Sequence, residues 1–396
     1  MISTLFRRTT HLRLSRIVPL LLAAACVTDA ALRFAPFDWF TFRAWEAMTH
    51  FQRWPEPFEA NKRYDQKRTY GDLAAMGNLP RYREYRSETF TTDALGLRNP
   101  PGLLKYGPAS AILVGDSFAA GSGSNDNQTL ASQLWVATGR AVYNSAPIRL
   151  DPTGLVELAH RLKMPEGVVI YQHLSRDTPP PDGKGIAALW EPPPMTWRQR
   201  LDAAATMPRS PMQILADRAV RRLQNGWIRP NPYADNVAVM TLRNGDWMLF
   251  RPPEVQAVRD TLRQLPEWAE RSIDGSVGIY KWYADTLRPQ KLRFVVALVP
   301  DKFTVYRPLL AGEPAEPHPS LYLEVLEQRL REAGVEVMNL SEPFIEEAAA
   351  RLEAHQYLYW RDDTHWNPAG IRSATRLIAP ALVTTGLPSK LSDRQP

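Results

Sequence analysis

Four consecutive apolar residues, Ala111-Ile112-Leu113-Val114, run straight into Gly115-Asp116-Ser117-Phe118. A short apolar run suits a strand, read here over 109–114, buried on both faces of a parallel sheet, and the Gly-Asp-Ser that follows has the residues of a sharp turn. A parallel strand cannot return through a hairpin, so a crossover must follow, and 128–138 has the pattern of a crossover helix. The alternation continues with a strand over 141–144, a helix over 153–162 and a strand over 167–172. After a break it resumes with one long amphipathic helix over about 254–287, a strand over 293–299, a helix over 321–333, a strand over 335–339 and a last helix over 371–383. The expected fold class is therefore α/β, a doubly wound, flavodoxin-like parallel sheet.

At 396 residues the chain exceeds one ordinary domain, and its apolar share of 44% is enough for a core. The boundaries predicted are an N-terminal segment 1–34, an aromatic-rich lead 35–105, the α/β domain 106–386 and a polar tail 387–396. The 35 prolines cluster at 179–181, 192–194 and 252–253, which marks about 177–250 as an inserted cap region. One cysteine, Cys26, excludes an intramolecular disulfide. A net charge of +6 spread over the chain argues against nucleic acid as a partner.

Arg7, Arg8, Arg13 and Arg16 precede the apolar run 17–27, which is interrupted only by Pro19. This is the pattern of an export signal or, extended to Phe34, of a marginal signal anchor in the inner membrane. The arginines would stay in the cytoplasm and everything beyond would face the periplasm. Cys26, after Leu22-Ala23-Ala24-Ala25, loosely resembles a lipidation site. In the lead, Trp39, Phe40, Phe42, Trp45, Phe51, Trp54 and Phe58 are spaced too irregularly for one helical stripe. They read more readily as core filling than as a sugar platform.

Ser117 sits where open α/β sheets build their sites, after the first core strand. A serine hydroxyl needs a base, usually a histidine held in one tautomer by a carboxylate, and Asp363-Thr364-His365-Trp366-Asn367 supplies both. Asp362 competes with Asp363 for the orienting role. Asp116 and Ser117 have a plainer alternative as a helix cap. His355, His365 and the two aspartates do not make a recognisable metal set, so no metal is expected. The Ser117 amide, Asn144 and Arg176 are candidate oxyanion donors, and His173 reads as a packed residue.

Gly115-Asp116-Ser117-Phe118 with Asp363-Thr364-His365-Trp366-Asn367-Pro368 resembles the SGNH hydrolase superfamily. The Asp-Thr-His-Trp form, with Val299-Pro300-Asp301-Lys302, is similar to its alginate O-acetyltransferase branch. The resemblance implies Ser117 as acylated nucleophile, His365 as base and Asp363 as its orienting partner, with Asp116, Asp362 and Lys302 supporting the site. It implies an exported O-acyltransferase without cofactor, acting on an exopolysaccharide acceptor with acetyl groups delivered by a membrane-bound O-acyltransferase. An SGNH esterase or deacetylase, or a catalytically inert polysaccharide-binding or assembly protein, are the alternatives.

Overall fold

The computed structural model describes residues 2–33, 58, 60–77, 79–103, 107–175, 237–314 and 320–383, with isolated positions between 197 and 219. Arg176, the lead aromatics from Trp39 to Trp54, most of the expected cap and the polar tail lie outside the described residues.

The N-terminal segment is a helix, α1 (Ile2–Leu32), with Pro19 inside it. Its apolar run, 17–27, is about 16 Å long at about 1.5 Å per residue, against about 30 Å of bilayer hydrocarbon. Among the described residues no helix is long and apolar enough to cross a membrane. The expectation of a signal anchor therefore gains no support from α1.

In the lead, β1 (Arg63–Thr69) and β2 (Arg86–Thr91) pair antiparallel, with a register irregularity between Gln66 and Thr69. They enclose a short helix, α2 (Asp72–Met76). The main sheet follows. Its strands are β3 (Ala111–Val114), β4 (Val142–Asn144), β5 (Gly167–Leu174), β8 (Leu292–Val299) and β9 (Glu336–Asn339). All neighbours are parallel, in the order β4-β3-β5-β8-β9, so the first sheet strand lies between the second and third. Between β5 and β8, β6 (Ala238–Thr241) and β7 (Trp247–Phe250) form an antiparallel hairpin.

Each face of the sheet is covered, which is why β3 has no polar residue. Ala111 and Leu113 pack in one core with α3 (Leu130–Thr138), the last helix and its neighbours, including Leu134, Ile371 and Ile378. Ile112 and Val114 face the other core, with Leu155 and Leu158 of α4 (Pro152–Arg161). Helix starts follow local chemistry. Asp151 accepts the Gly154 amide at 2.6 Å with Pro152 in the first turn of α4, and Thr129 caps α3, which Gly139 ends at φ 67°.

The long helix expected over 254–287 is two, α5 (Pro252–Asp260) and α6 (Glu267–Leu287). Pro266 is the reason: it lacks an amide hydrogen, disfavours helical geometry in Leu265, and stands at the N-cap of α6. After β8 come α7 (Lys302–Tyr306) and α8 (Leu321–Glu332). After β9 come α9 (Ser341–Arg351) and α10 (Pro368–Val383). α6 and α8 pack in the second core, while α9 and α10 pack in the first.

Candidate active site

Strand β3 delivers Ser117 to the carboxyl edge of the sheet at the switch in strand order, between the connections to β4 and β5. The turn around it is closed locally. Asp116 Oδ1 accepts the Phe118 amide at 2.8 Å, the Asp116 carbonyl accepts the Ala120 amide at 2.9 Å, and the Ser117 carbonyl accepts the Ser122 amide at 3.0 Å. Asp116 thus supports the turn. Gly115 has no room for a side chain, because a Cβ there would lie 2.8 Å from that of Ala119 and 3.1 Å from that of Gln172. Beneath the loop, the buried Arg98 guanidinium donates to the carbonyls of Thr89, Ala120, Gly121 and Ser124 at 2.6–3.0 Å and to Asp126 at 3.2 Å.

His365 comes from the loop between α9 and α10. Tyr359 and Trp366 form an antiparallel bridge, the Trp360 amide donates to the His365 carbonyl at 3.2 Å, and Asn367 ties the base of the loop. Asn367 donates to the Tyr357 carbonyl at 2.7 Å while its Oδ1 accepts the amides of Ala369 and Gly370, opening α10. Phe118 packs on the imidazole with ring centroids 4.8 Å apart.

The outcome is a linear array. Ser117 Oγ lies 2.7 Å from His365 Nε2, and His365 Nδ1 lies 2.7 Å from Asp363 Oδ1. A carboxylate can only accept, so Nδ1 carries the hydrogen and Nε2 is left to accept from the serine hydroxyl. Asp363 and Asp362 are fully buried, and His365 nearly so. Asp362 points elsewhere: its Oδ2 accepts the amides of Gly71 at 2.7 Å and Glu84 at 2.8 Å, and its Oδ1 accepts from Arg86 at 2.9 Å. Burial, with Asp363 adding to it, raises the Asp362 pKa above the ordinary carboxylate value, and Arg86 opposes the shift.

The other residues singled out in the sequence fall as follows. Lys302 is buried under the loop and donates to the carbonyls of Leu249, Trp360, Arg361 and Asp363 at 2.8–2.9 Å. Asn144 spends its carboxamide on the Ala119 carbonyl, at 2.8 Å, and the Ala146 amide, at 3.0 Å, so it ties the serine loop to β4. The Ser117 amide donates to no described residue. His173 lies inside β5, buried, with Nδ1 at 2.7 Å from the Tyr280 hydroxyl. Arg176 lies outside the described residues.

Several partners carried no signal in the sequence: Gly71, Asp72, Glu84 and Arg86, all from the lead. Asp72 accepts from Thr364 through its backbone amide at 2.8 Å and its hydroxyl at 2.6 Å. Asp72, Asp363 and His365 offer atoms within 4.8 Å of one another, a spacing a cation could use. The Arg86 guanidinium already brings a positive charge to 2.7 Å from Asp363 Oδ2. Gln172 brings a buried carboxamide, with neither atom bonded to a described residue, beside Gly115.

A five-stranded parallel sheet in this order, with a serine after its first strand and an Asp-x-His loop before its last helix, is consistent with an SGNH hydrolase-like domain. Residues 258–395 match the family described as SGNH hydrolase-like domain, acetyltransferase AlgX. The chain is 34% identical over 115 residues to the probable alginate O-acetylase AlgJ of Pseudomonas putida, an alignment spanning 29% of this chain and 28% of that relative. One solved structure overlaps 70% of this chain and 97% of its own, at 15% identity and a TM-score of 0.29, too loose a superposition to bear on the fold. The comparisons support the AlgX/AlgJ-like branch of the SGNH hydrolases. The matched region contains Lys302, Asp363 and His365, whereas Ser117 and Arg86 lie before it.

Proposed function

We propose that this protein is an exported, serine-dependent O-acyltransferase that acetylates a polysaccharide through an acyl-Ser117 intermediate. The observation that carries this reading is the 2.7 Å approach of Ser117 Oγ to His365 Nε2, in a histidine whose other nitrogen faces Asp363. The AlgX-type match and the alginate O-acetylase relative support acetylation of a polysaccharide.

In the first half-reaction His365 Nε2 takes the hydroxyl proton as Ser117 Oγ bonds to the acetyl carbonyl carbon. The tetrahedral oxyanion is met by amide donors such as that of Ser117, and collapse expels the donor's leaving group, which takes the proton back from His365. In the second half-reaction a sugar hydroxyl gives its proton to His365 and attacks the acyl-enzyme, releasing the ester and restoring Ser117. Arg7, Arg8, Arg13 and Arg16 before an apolar run support export as a signal segment, and on this reading the work is done in the periplasm. Acetyl-CoA is cytoplasmic, so the acetyl donor there is passed on by a membrane-bound O-acyltransferase.

The hydrolytic reading uses the same residues and differs only in whether water reaches the acyl-enzyme. The deciding experiment follows the acetyl group by mass spectrometry, with a chromogenic acetyl ester as donor, oligosaccharides as acceptors and Ser117→Ala as control. Acetylated sugar that disappears in the variant establishes the transferase. Serine-dependent free acetate alone makes the protein an esterase, and absence of acyl-Ser117 under all conditions sinks both.

A further inference from the structure

We propose that Arg86, supplied by the N-terminal lead, is a positioning residue of the Ser117–His365–Asp363 array, whose guanidinium fork decides which of two adjacent carboxylates orients His365. The inference rests on the reading of that array as an acyl-transfer site.

Arg86 divides its donors between the two acids. One terminal nitrogen donates to Asp362 Oδ1 at 2.9 Å and to the Glu84 carbonyl at 3.0 Å, and the other donates to Asp363 Oδ2 at 2.7 Å. Its guanidinium stacks on Trp360, 4.2 Å from the ring centroid, so the fork is fixed in plane as well as in distance. The side chains of all three charged residues are sealed from water, Arg86 at 8% exposure and both aspartates at 0%.

This contact locks Asp363. Its Oδ1 meets His365 Nδ1 at 2.7 Å and the His365 amide at 3.2 Å, while its Oδ2 meets Arg86 and, more distantly at 3.3 Å, the Asp72 amide. With Arg86 gone, Oδ2 would lose its shorter, charged hydrogen bond and keep the longer one to the Asp72 amide, and the carboxylate could turn away from the imidazole. The charge balance points the same way. Arg86, Arg361, Lys302, Asp72, Glu84, Asp362, Asp363 and His365 are charged and titratable groups gathered here, and among the described residues Arg86 is the cation ion-paired with both acids. Two adjacent buried carboxylates without it cannot both stay ionised, and one would take a proton. A lysine would keep the charge but could not reach both acids in one plane.

A merely structural alternative is that Arg86 only neutralises Asp362. The variants Arg86→Gln, Arg86→Lys and the double variant Arg86→Gln with Asp362→Asn separate the two. The double variant removes one positive and one negative charge together, and a glutamine oxygen opposite an asparagine amide can rebuild a hydrogen bond. It therefore carries the test where Arg86→Gln fails to fold.

The readouts are the rate of Ser117 labelling by a fluorophosphonate across pH, the downfield proton resonance of His365 Nδ1, and the melting temperature. Loss of a charge-assisted hydrogen bond predicts labelling slowed about 10- to 100-fold in Arg86→Gln. Its acid limb should move to higher pH, Arg86→Lys should recover part of the rate, and the double variant should fold yet remain slow. The His365 resonance should be lost to exchange in every folded variant that lacks the fork. Labelling at the wild-type rate and pH profile in the double variant, with the resonance intact, overturns the proposal. If the wild-type chain itself is never labelled, the acyl-transfer reading fails, and the resonance still decides the role of Arg86.

Discussion

Lys302 Nζ donates to the backbone carbonyl of Asp363 at 2.9 Å, holding from below the loop that presents His365 above. Three further carbonyls, of Leu249, Trp360 and Arg361, surround the same ammonium. Burial brings the Lys302 pKa down to about 8 from an ordinary 10.5, although Asp362, Asp363, Asp72 and Glu84 pull it upward. The folded chain therefore gives up this proton before the unfolded chain does. The stability tied to the neutral amine is present above about 10.5 and is lost as pH falls through about 8, so stability climbs between the two by about 3 kcal/mol at most. Activity should move the opposite way, because a neutral amine has two hydrogens for four carbonyls. Urea denaturation and Ser117 labelling at about pH 7.5 and about pH 9.5 check both trends. Lys302→Met should show neither, and matching slopes in the two proteins would refute the assignment.

Gly71 is where the lead meets this loop most closely. A Cβ at that position would stand 1.9 Å from the Asp362 carbonyl oxygen, and the backbone of a buried loop cannot yield that distance cheaply. Gly71→Ala is expected to destabilise the protein by at least about 3 kcal/mol, read as a lowered melting temperature. Labelling of Ser117 should fall with it, since the displaced Asp362 carries Arg86. Gly278, whose Cβ would meet nothing within 4 Å, is the control: alanine there should leave both measurements near wild type.

The chemistry-bearing residues were legible because each lies in a compact local motif. A wholly apolar strand announced its burial on both faces, and the turn after it carried Ser117. The Asp-Thr-His-Trp loop held its acid and base two residues apart. What stabilises those motifs was not legible, because the partners stand 276 to 292 residues away in sequence and an arginine or glycine in the lead looks like any other. Pro266 was visible, yet the amphipathic spacing on either side concealed that it ended one helix and began another. Helix α9 went unread because its buried face is short, with Phe344, Ile345 and Ala348 set among glutamates and alanines.

Arg98 does for the serine loop what Lys302 does for the histidine loop. Its buried guanidinium takes four backbone carbonyls of Thr89, Ala120, Gly121 and Ser124, and burial lowers its pKa while Asp126 and Glu88 pull it back. Arg98→Met keeps the volume and strands the carbonyls, so a loss of about 3 kcal/mol or more is expected. Arg98→Lys should recover part of it. Calorimetric unfolding of the two variants beside wild type checks the order. A methionine variant as stable as wild type would mean that water satisfies these carbonyls.

Asp363→Asn gives the sharpest test of the array, because the surroundings dictate how the new amide must lie. Arg86 and the Asp72 amide both donate to the position of Oδ2, so the asparagine oxygen is drawn there. Its NH2 group is then left facing His365 Nδ1. The imidazole must answer by accepting at Nδ1 and carrying its hydrogen on Nε2, the nitrogen 2.7 Å from Ser117 Oγ. In that tautomer it cannot take the serine proton. Acylation of Ser117 should fall by about 10³- to 10⁴-fold, while substrate affinity and overall fold change little. Single-turnover acylation with an acetyl ester, paired with a melting curve, measures both quantities. A variant that acylates within tenfold of wild type would show that Asp363 does not set the histidine tautomer, whereas a slow but folded one ties the rate to a single hydrogen on His365.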